Sequence, residues 1–532
     1  MRPLTSRVDP SSEQYQVNRR GMLDLLETLE REQARARAGG GERYVERHRR
    51  RGKMLAHERV ELLLDPDSPF LELSTLAGWG TEYHVGASLL TGIGVVSGVE
   101  CMIAAHDPTV RGGSSNPLTW QKVLRSLEIS RQNRLPFVHL VESGGADLRA
   151  QAELFIPAGR LFHHLTALSA AAIPTVALVF GNSTAGGAYV PGMCDYAVMV
   201  ENQAKVFLGG PPLVKMATGE ESDDEELGGA DMHSRVSGLS DYLARDENHC
   251  IAIGREIVAH LNWRKLGTGP TMPPDEPLYD PDEICGIASI DLRVPFDPRE
   301  VLARVLDGSA FEEYKPLYGP ALVTGWGSVH GYLIGILANA NGILFNEEAQ
   351  KATEFILLCN QTDTPLVFLQ NTTGYMVGKA YEQRGIIKDG SKMINAVTNS
   401  SVPHITMNMG SSYGAGNYGM CGRPYDPRFL FSWPNSKTAI MGPEQLAGVM
   451  SIVARQAAEA SGQPFDEEED ARRRAELEAR VESESLALYM TGHGWDDGII
   501  DPRDTRTVLG LCLSACMSAE VRGTRGYGVF RM

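Results

Sequence analysis

Two glycine turns hold the residues best suited to chemistry. Residues 183–189 read STAGGAY and residues 412–418 read SYGAGNY. Each closes an apolar run with a proline at its start, IPTVALVFG from 173 and VPHITMNMG from 402. Glycine has no Cβ, so a ligand can approach its backbone closely and a left-handed conformation costs little. A glycine turn leading into a helix points backbone N–H groups at an incoming oxygen. Two such groups make an oxyanion hole for an enolate or tetrahedral oxygen, where one donor is worth about 2.7–4 kcal/mol. Neither turn contains His, Asp, Glu or Cys, and neither carries a G-x-S-x-G elbow. H-E-x-x-H and clusters of metal ligands are absent, so no metal is expected. GGPPLVK at 209–215 is followed by Met216, where a P-loop needs a hydroxyl. Two holes without a side-chain base suit a reaction with two developing oxyanions, in which a substrate or cofactor supplies the base.

The turns belong to a duplication. Gly113 and Gly342 stand 229 residues apart, and the same spacing relates Lys122 to Lys351, Pro136 to Pro365 and Gly145 to Gly374. It also relates Pro174 to Pro403, Gly181 to Gly410 and Gly187 to Gly416. Upstream, TGIGVVSG at 91–98 lies over TGWGSVHG at 324–331. Within each copy, LPFVHLVES (135–143) and TPLVFLQNT (364–372) read as buried strands, each after a helical stretch, 118–133 and 347–362. The runs that end in the glycine turns are the next strands. Alternating strands and helices predict parallel pairing, with ligand loops at the strand C-termini. Around this core, 12–37 reads as an exposed N-terminal helix, 268–298 as a Pro- and Asp-rich linker, and 465–485 as a charged, solvated helix.

Composition narrows the partners. The chain has 532 residues and a net charge of −17, which argues against nucleic acid or an anionic membrane surface. No apolar stretch approaches the roughly 18 residues of a membrane span, and the N-terminus lacks the apolar segment of a secretory signal. The eight scattered cysteines include no C-x-x-C pair, which fits reduced thiols and a cytoplasmic location.

In combination, several motifs resemble the carboxyltransferase (beta) subunit of biotin-dependent acyl-CoA carboxylases. They are RRRGKMLAHERVELLLDPDSPFLEL (49–73), GGSSNP (112–117), ESGGADL (142–148), TAGGAYVPGMCD (184–195), FLGGPPLVKMATGE (207–220) and NGILFNEEAQKATEFILLC (341–359). The resemblance implies an α/β fold of two tandem crotonase-like (ClpP/crotonase) domains, at 22–278 and 279–525. It implies that biotin, carried by a separate biotinylated biotin-carboxylase/carrier alpha subunit, brings the carboxyl group and acts as the missing base. By resemblance, Gly186 and Gly187 hold the thioester oxygen, while Gly416, Asn417 and Ala415 hold the biotin ureido oxygen. Arg111, Gly112, Gly113, Ser143, Gly144, Gly145 and Ala185 then fall beside the acyl-CoA, with Lys122, Arg149 and Arg160 as further candidates for its phosphates. Thr373, Gly374, Tyr375, Tyr413 and Gly414 fall beside biotin. The family assembles as a β hexamer, with each site formed between two chains, so a homohexamer within an α6β6 complex is expected.

QNTTGYMVG (370–378), SYGAGNYGMCGRPYDPRF (412–429), WDDGIIDPRDTR (495–506) and YGVFRM (527–532) resemble the methylcrotonyl-CoA and geranyl-CoA branch. Its substrates are branched and α,β-unsaturated. His404, Asn408, Ser411 and Asp147 depart from the residues familiar at those positions. A saturated acyl-CoA carboxylase, a CoA-linked decarboxylase and a non-catalytic scaffold subunit stand as alternatives. No Met-Lys-Met biotinylation hairpin occurs in the chain.

Overall fold

The computed structural model describes residues 1–532. Two eight-stranded sheets dominate it, one for each sequence repeat. In the first, an antiparallel edge of Phe70–Leu73, Leu89–Val96 and Val99–His106 leads into parallel strands Phe137–Ser143, Thr175–Thr184, Tyr196–Val200 and Tyr242–Ala244. The second repeats this order. Ala310–Glu313, Leu322–Val329 and Tyr332–Asn339 form its antiparallel edge, followed by parallel Leu366–Thr372, His404–Tyr413 and Phe429–Ser432. A short strand rides beside the end of each turn-bearing strand, Lys205–Phe207 in one copy and Lys437–Ala439 in the other.

Local chemistry explains why the elements start and stop where they do. The Pro117–Asn133 helix opens on Asn116, whose side chain accepts from the N–H groups of Leu118 (2.9 Å) and Thr119 (3.0 Å). Pro117 then sits where no N–H is needed. The helix closes on Arg134 in a left-handed conformation, φ 52°. Every residue of Phe137–Ser143 and of Leu366–Thr372 is buried, as continuous apolar runs in parallel sheets require. The central strand pairing breaks register at the same place in both copies, between Val141 and Ser143 and between Gln370 and Thr372. Such irregularities re-aim side chains next to functional sites.

Two segments differ from their sequence reading. Residues 268–298 are not a free linker, because Ile284–Ile287 forms a helical turn that is wholly buried. The Glu13–Arg37 helix is not simply exposed either. It buries Tyr15, Asn18, Met22 and Leu29, and Asn18 Nδ2 donates to the Gly286 carbonyl at 3.1 Å. Proline and aspartate content describes a chain without regular structure, not a chain without a core. The extreme N-terminus also joins the second sheet, with Arg2–Pro3 antiparallel to Ala310–Glu313. One apolar cluster runs from Phe137 and Val141 of the first sheet to Ile336, Val367 and Met407 of the second, so the repeats share a core. No helix is long and apolar enough to cross a membrane.

Candidate active site

Both glycine turns stand at the C-terminal ends of central parallel strands, where ligand loops are expected in such sheets. Their backbones match position by position. Ala185 and Gly414, 229 residues apart, both adopt the left-handed region at φ 54° and 53°. The loop beside each turn repeats as well. Ser143 Oγ donates to the Gly113 carbonyl (2.6 Å) and accepts from the Gly145 N–H (3.2 Å). Thr372 Oγ1 does the same with Gly342 (3.1 Å) and Gly374 (3.2 Å). The Gly144 and Thr373 amides donate to the Gly112 and Gly342 carbonyls. A hydroxyl thus pins one loop against another beneath each turn.

The turns differ in what they expose. Ala185 and Gly186 are exposed and Gly187 is half-buried. A Cβ at Gly186 would meet only Phe162, at 3.8 Å, so the space beside it is open. In the second copy Ala415 is exposed, whereas Gly416 and Asn417 are buried. A Cβ at Gly416 would lie 2.8 Å from Thr372 Oγ1 and 2.9 Å from Gly374 Cα, so this glycine is needed for packing of the turn on its loop. Asn417 Nδ2 donates to Ser412 Oγ (2.7 Å), which in turn donates to Gln370. Its side chain holds the turn's shape. Ala415 therefore takes in the second copy the exposed place that Gly186 takes in the first.

The first turn opens into an apolar pocket lined by Ala158, Leu161, Phe162 and Val190, with Ser143, Gly145, Gly186 and Gly187 at the turn itself. Beside it, Arg111 and Arg149 are exposed and both reach Asp147. The Arg111–Asp147 contact is 3.6 Å, and Arg149 lies closer. Gly112 is exposed and Gly113 buried, its missing Cβ leaving room for the Glu142 carbonyl. Arg160 is exposed on the Gln151–Ala170 helix.

Lys122 does not belong to this group. It is buried, and its ammonium donates to the carbonyls of Leu89 and Gly86. Lys351, its repeat mate, donates to Leu322 and Gly319 in the same way. Burial pushes each lysine down to about 8. A cation spent on backbone carbonyls inside the core has none of its charge left for a phosphate. Tyr375 is half-buried. Its ring packs against Gly390 and Gly419, and its hydroxyl lies 3.4 Å from Met393 Sδ. Thr373 is exposed, Gly374 is half-buried at φ 127°, and Tyr413 is buried with its carbonyl facing Gly374.

Two ionic groups behind the site were not read from the sequence. Glu142, next to Ser143, is gripped by Lys53 Nζ at 2.5 Å and by Arg59 Nη2 at 2.8 Å, and Arg59 also reaches Glu247. Those two cations hold the carboxyl below its usual range against the cost of burial. Gly181 has no Cβ where Glu142 Oε1 would lie 2.6 Å away, and Gly410 stands likewise against Asn371. Across the repeats, Asp497 binds Arg125 (2.8 Å) and Arg423 (2.9 Å) and accepts from the Leu430 N–H (2.8 Å). The WDDG motif is thus a clamp between the two halves. Its signal was the paired aspartates, but their arginines lie far off in sequence. No group of three or more His, Cys, Asp or Glu side chains is placed to hold a metal.

Backbone amides at paired strand ends, with no Asp, Glu, His or Cys in either turn, suit a site that stabilises oxyanions. The carboxyl transferase domain model matches residues 47–529. A probable biotin-dependent acyl-coenzyme A carboxylase beta2 subunit of Mycobacterium tuberculosis is 63% identical over 99% of this chain and 100% of its own length. The mitochondrial methylcrotonoyl-CoA carboxylase beta chain of Dictyostelium discoideum is 48% identical over 99% of this chain and 91% of its own. Among solved structures, the beta subunit of geranyl-CoA carboxylase from P. aeruginosa superposes with a TM-score of 0.89 at 41% identity, over 99% of both chains. The chain belongs to the carboxyl transferase family. Its fold is two crotonase-like domains in tandem, and its class of activity is acyl-CoA carboxyl transfer.

Proposed function

We propose that the chain is the carboxyltransferase subunit of a biotin-dependent carboxylase acting on a branched, unsaturated acyl-CoA, 3-methylcrotonyl-CoA or a relative of it. The observation that carries this reading is the duplicated turn, one copy of which opens into an apolar pocket beside two exposed arginines. Gly186 and Gly187 offer their amides to the thioester oxygen, and Ser143 and Gly145 fix the neighbouring loop. Arg111 and Arg149, pre-oriented by Asp147, receive the phosphates of CoA. The second turn offers backbone donors at Ala415 and its neighbours Gly416 and Asn417 to the neutral ureido oxygen of biotin. When bound, biotin brings the carboxyl group and supplies the base that the chain lacks. On this reading the two domains span 22–278 and 279–525.

Biotin comes from a separate alpha subunit, and the chain assembles as a hexamer in which the first turn of one protomer faces the second turn of another. Supporting this, apolar side chains stand exposed on segments that flank the turns in each copy: Phe155, Ile156, Leu208 and Met216 in the first, Ile440, Met450 and Ile452 in the second. A cytoplasmic place accords with eight free cysteines. The test runs the reaction backwards. Purified protein is incubated with d-biotin and 3-methylglutaconyl-, carboxygeranyl-, methylmalonyl- or malonyl-CoA, and loss of the carboxyl group is followed. Biotin-dependent loss from one of the first two is expected. Loss from malonyl- or methylmalonyl-CoA alone would move the substrate to the saturated branch, and loss from none would favour a scaffold subunit.

A further inference from the structure

The apolar pocket below the first turn has a polar end. Side chains two apart on a strand point the same way, so Ser143, Val141 and His139 share one face of Phe137–Ser143. At ~3.3 Å per residue, His139 lies about 13 Å along the strand from Ser143. His106, at the end of the neighbouring strand, stacks on it with ring centroids 4.9 Å apart and planes at 18°. Trp120, from the Pro117–Asn133 helix, lines the same pocket, together with Gly186 and Gly187. His106, His139 and Trp120 are 8%, 2% and 8% exposed.

Four polar atoms of these three side chains have no hydrogen-bond partner: His106 Nδ1, both ring nitrogens of His139, and Trp120 Nε1. Buried polar atoms are ordinarily paired, and leaving them unpaired destabilises a fold. The other buried imidazoles of the chain obey that rule. His48 meets the Met54 carbonyl, His233 the Val206 carbonyl, and His404 the Ser400 hydroxyl. Among the buried imidazoles, unpaired nitrogens are therefore particular to this pocket. Burial keeps both of its imidazoles neutral, with His106 held down to about 4 and His139 well below its usual value. Neutral His106 presents its unpaired Nδ1 as either a donor or an acceptor, according to its tautomer. Trp120 can only donate, and neutral His139 carries one donor and one acceptor. A hydroxyl, one donor with two acceptor lone pairs, can accept from Trp120 Nε1 and both accept from and donate to the imidazole nitrogens, so it pairs three of these four uncharged atoms. A carboxylate would face lone pairs, and a hydrocarbon end would leave all four atoms unpaired.

Resting on the reading that this pocket receives the acyl chain, we propose that the chain carries a hydroxyl group at its far end, bound by His139, His106 and Trp120. These three side chains set specificity and take no part in the transfer itself. The test measures binding of geranyl-CoA and its ω-hydroxy derivative to the full-length oligomer by calorimetry. The hydroxylated chain is expected to bind at least tenfold more tightly. Trp120→Phe, which removes one donor and little volume, should reduce that preference two- to fivefold, and His139→Phe should abolish it. Circular dichroism and oligomer size confirm that each variant is folded. Equal binding of the two ligands to the wild-type protein overturns the proposal, with water filling the polar end. A preference that neither variant alters overturns the assignment to these residues. Absence of binding by both ligands overturns the reading of the pocket, and this proposal with it.

Discussion

Asp147 stands in ESGGADL where a different kind of residue is familiar, and its position explains it. The carboxylate lies between the guanidinium groups of Arg111 and Arg149, so two exposed cations are held on one side of the first turn. Arginines that are already oriented lose less freedom when they meet a phosphate. On the proposed function, Arg111→Ala and Arg149→Ala each raise KM for an acyl-CoA about tenfold, in line with the loss of one charge-assisted hydrogen bond. Steady-state kinetics should show kcat nearly unchanged and no effect on an acyl-pantetheine thioester that lacks the phosphates. Equal losses with both substrates would assign the arginines to the fold. At this scale the sequence was a partial guide. It picked out the glycines because their spacing repeats, yet it could not tell Lys122, spent on buried carbonyls, from Arg149, exposed at the surface beside Asp147. Which amide is exposed was equally invisible, since burial of Gly416 depends on the distant loop at Thr372 and Gly374.

Elements were far more legible than contacts. The Pro117–Asn133 helix and the Phe137–Ser143 strand fell close to where periodicity and punctuation place them, and the duplication carried both to the second copy. Buried Ile284–Ile287 and the Arg2–Pro3 edge strand were not legible, because each owes its structure to surfaces supplied by distant chain. The clamp at Asp497 is of the same kind. Two arginines hold its carboxyl down to about 2, below the ordinary 3.8, despite complete burial. A depressed carboxyl stabilises the fold only while it is ionised more readily than in the unfolded chain. Its contribution is therefore complete above about pH 4 and lost as pH falls toward 2. Asp497→Asn leaves Arg125 and Arg423 facing a neutral group, and breaking such a buried pair costs about 3–5 kcal/mol. Denaturant unfolding at pH 7 should show that loss, and the gap between variant and wild type should narrow below pH 4. A constant gap across this range would remove the charge from the explanation.

For the whole molecule, the two repeats are fused by a shared core and by polar contacts that include the Asp497 clamp, yet each keeps its own turn and its own fringe of exposed apolar side chains. The Pro443–Ser461 helix buries only Ala447 within the chain, while Val449, Met450, Ile452 and Val453 are about half exposed. A surface of this kind is covered by another protein surface. The proposed assembly covers it with a second copy, and in doing so builds each site from the first turn of one protomer and the second turn of its neighbour. Gly186→Val fills open space at the first turn, and Ala415→Phe does so at the exposed position of the second. The decisive measurement is biotin-dependent decarboxylation by each variant oligomer and by a hybrid of the two, co-expressed with different tags and isolated through both. Each variant alone should fall about 10²–10³-fold, the scale of a lost oxyanion donor. The hybrid should recover a substantial fraction of wild-type activity, because some of its sites join two intact turns. Wild-type rates in either single variant would contradict the role of that turn, and a hybrid as inactive as its parents would place both turns of each site in one chain.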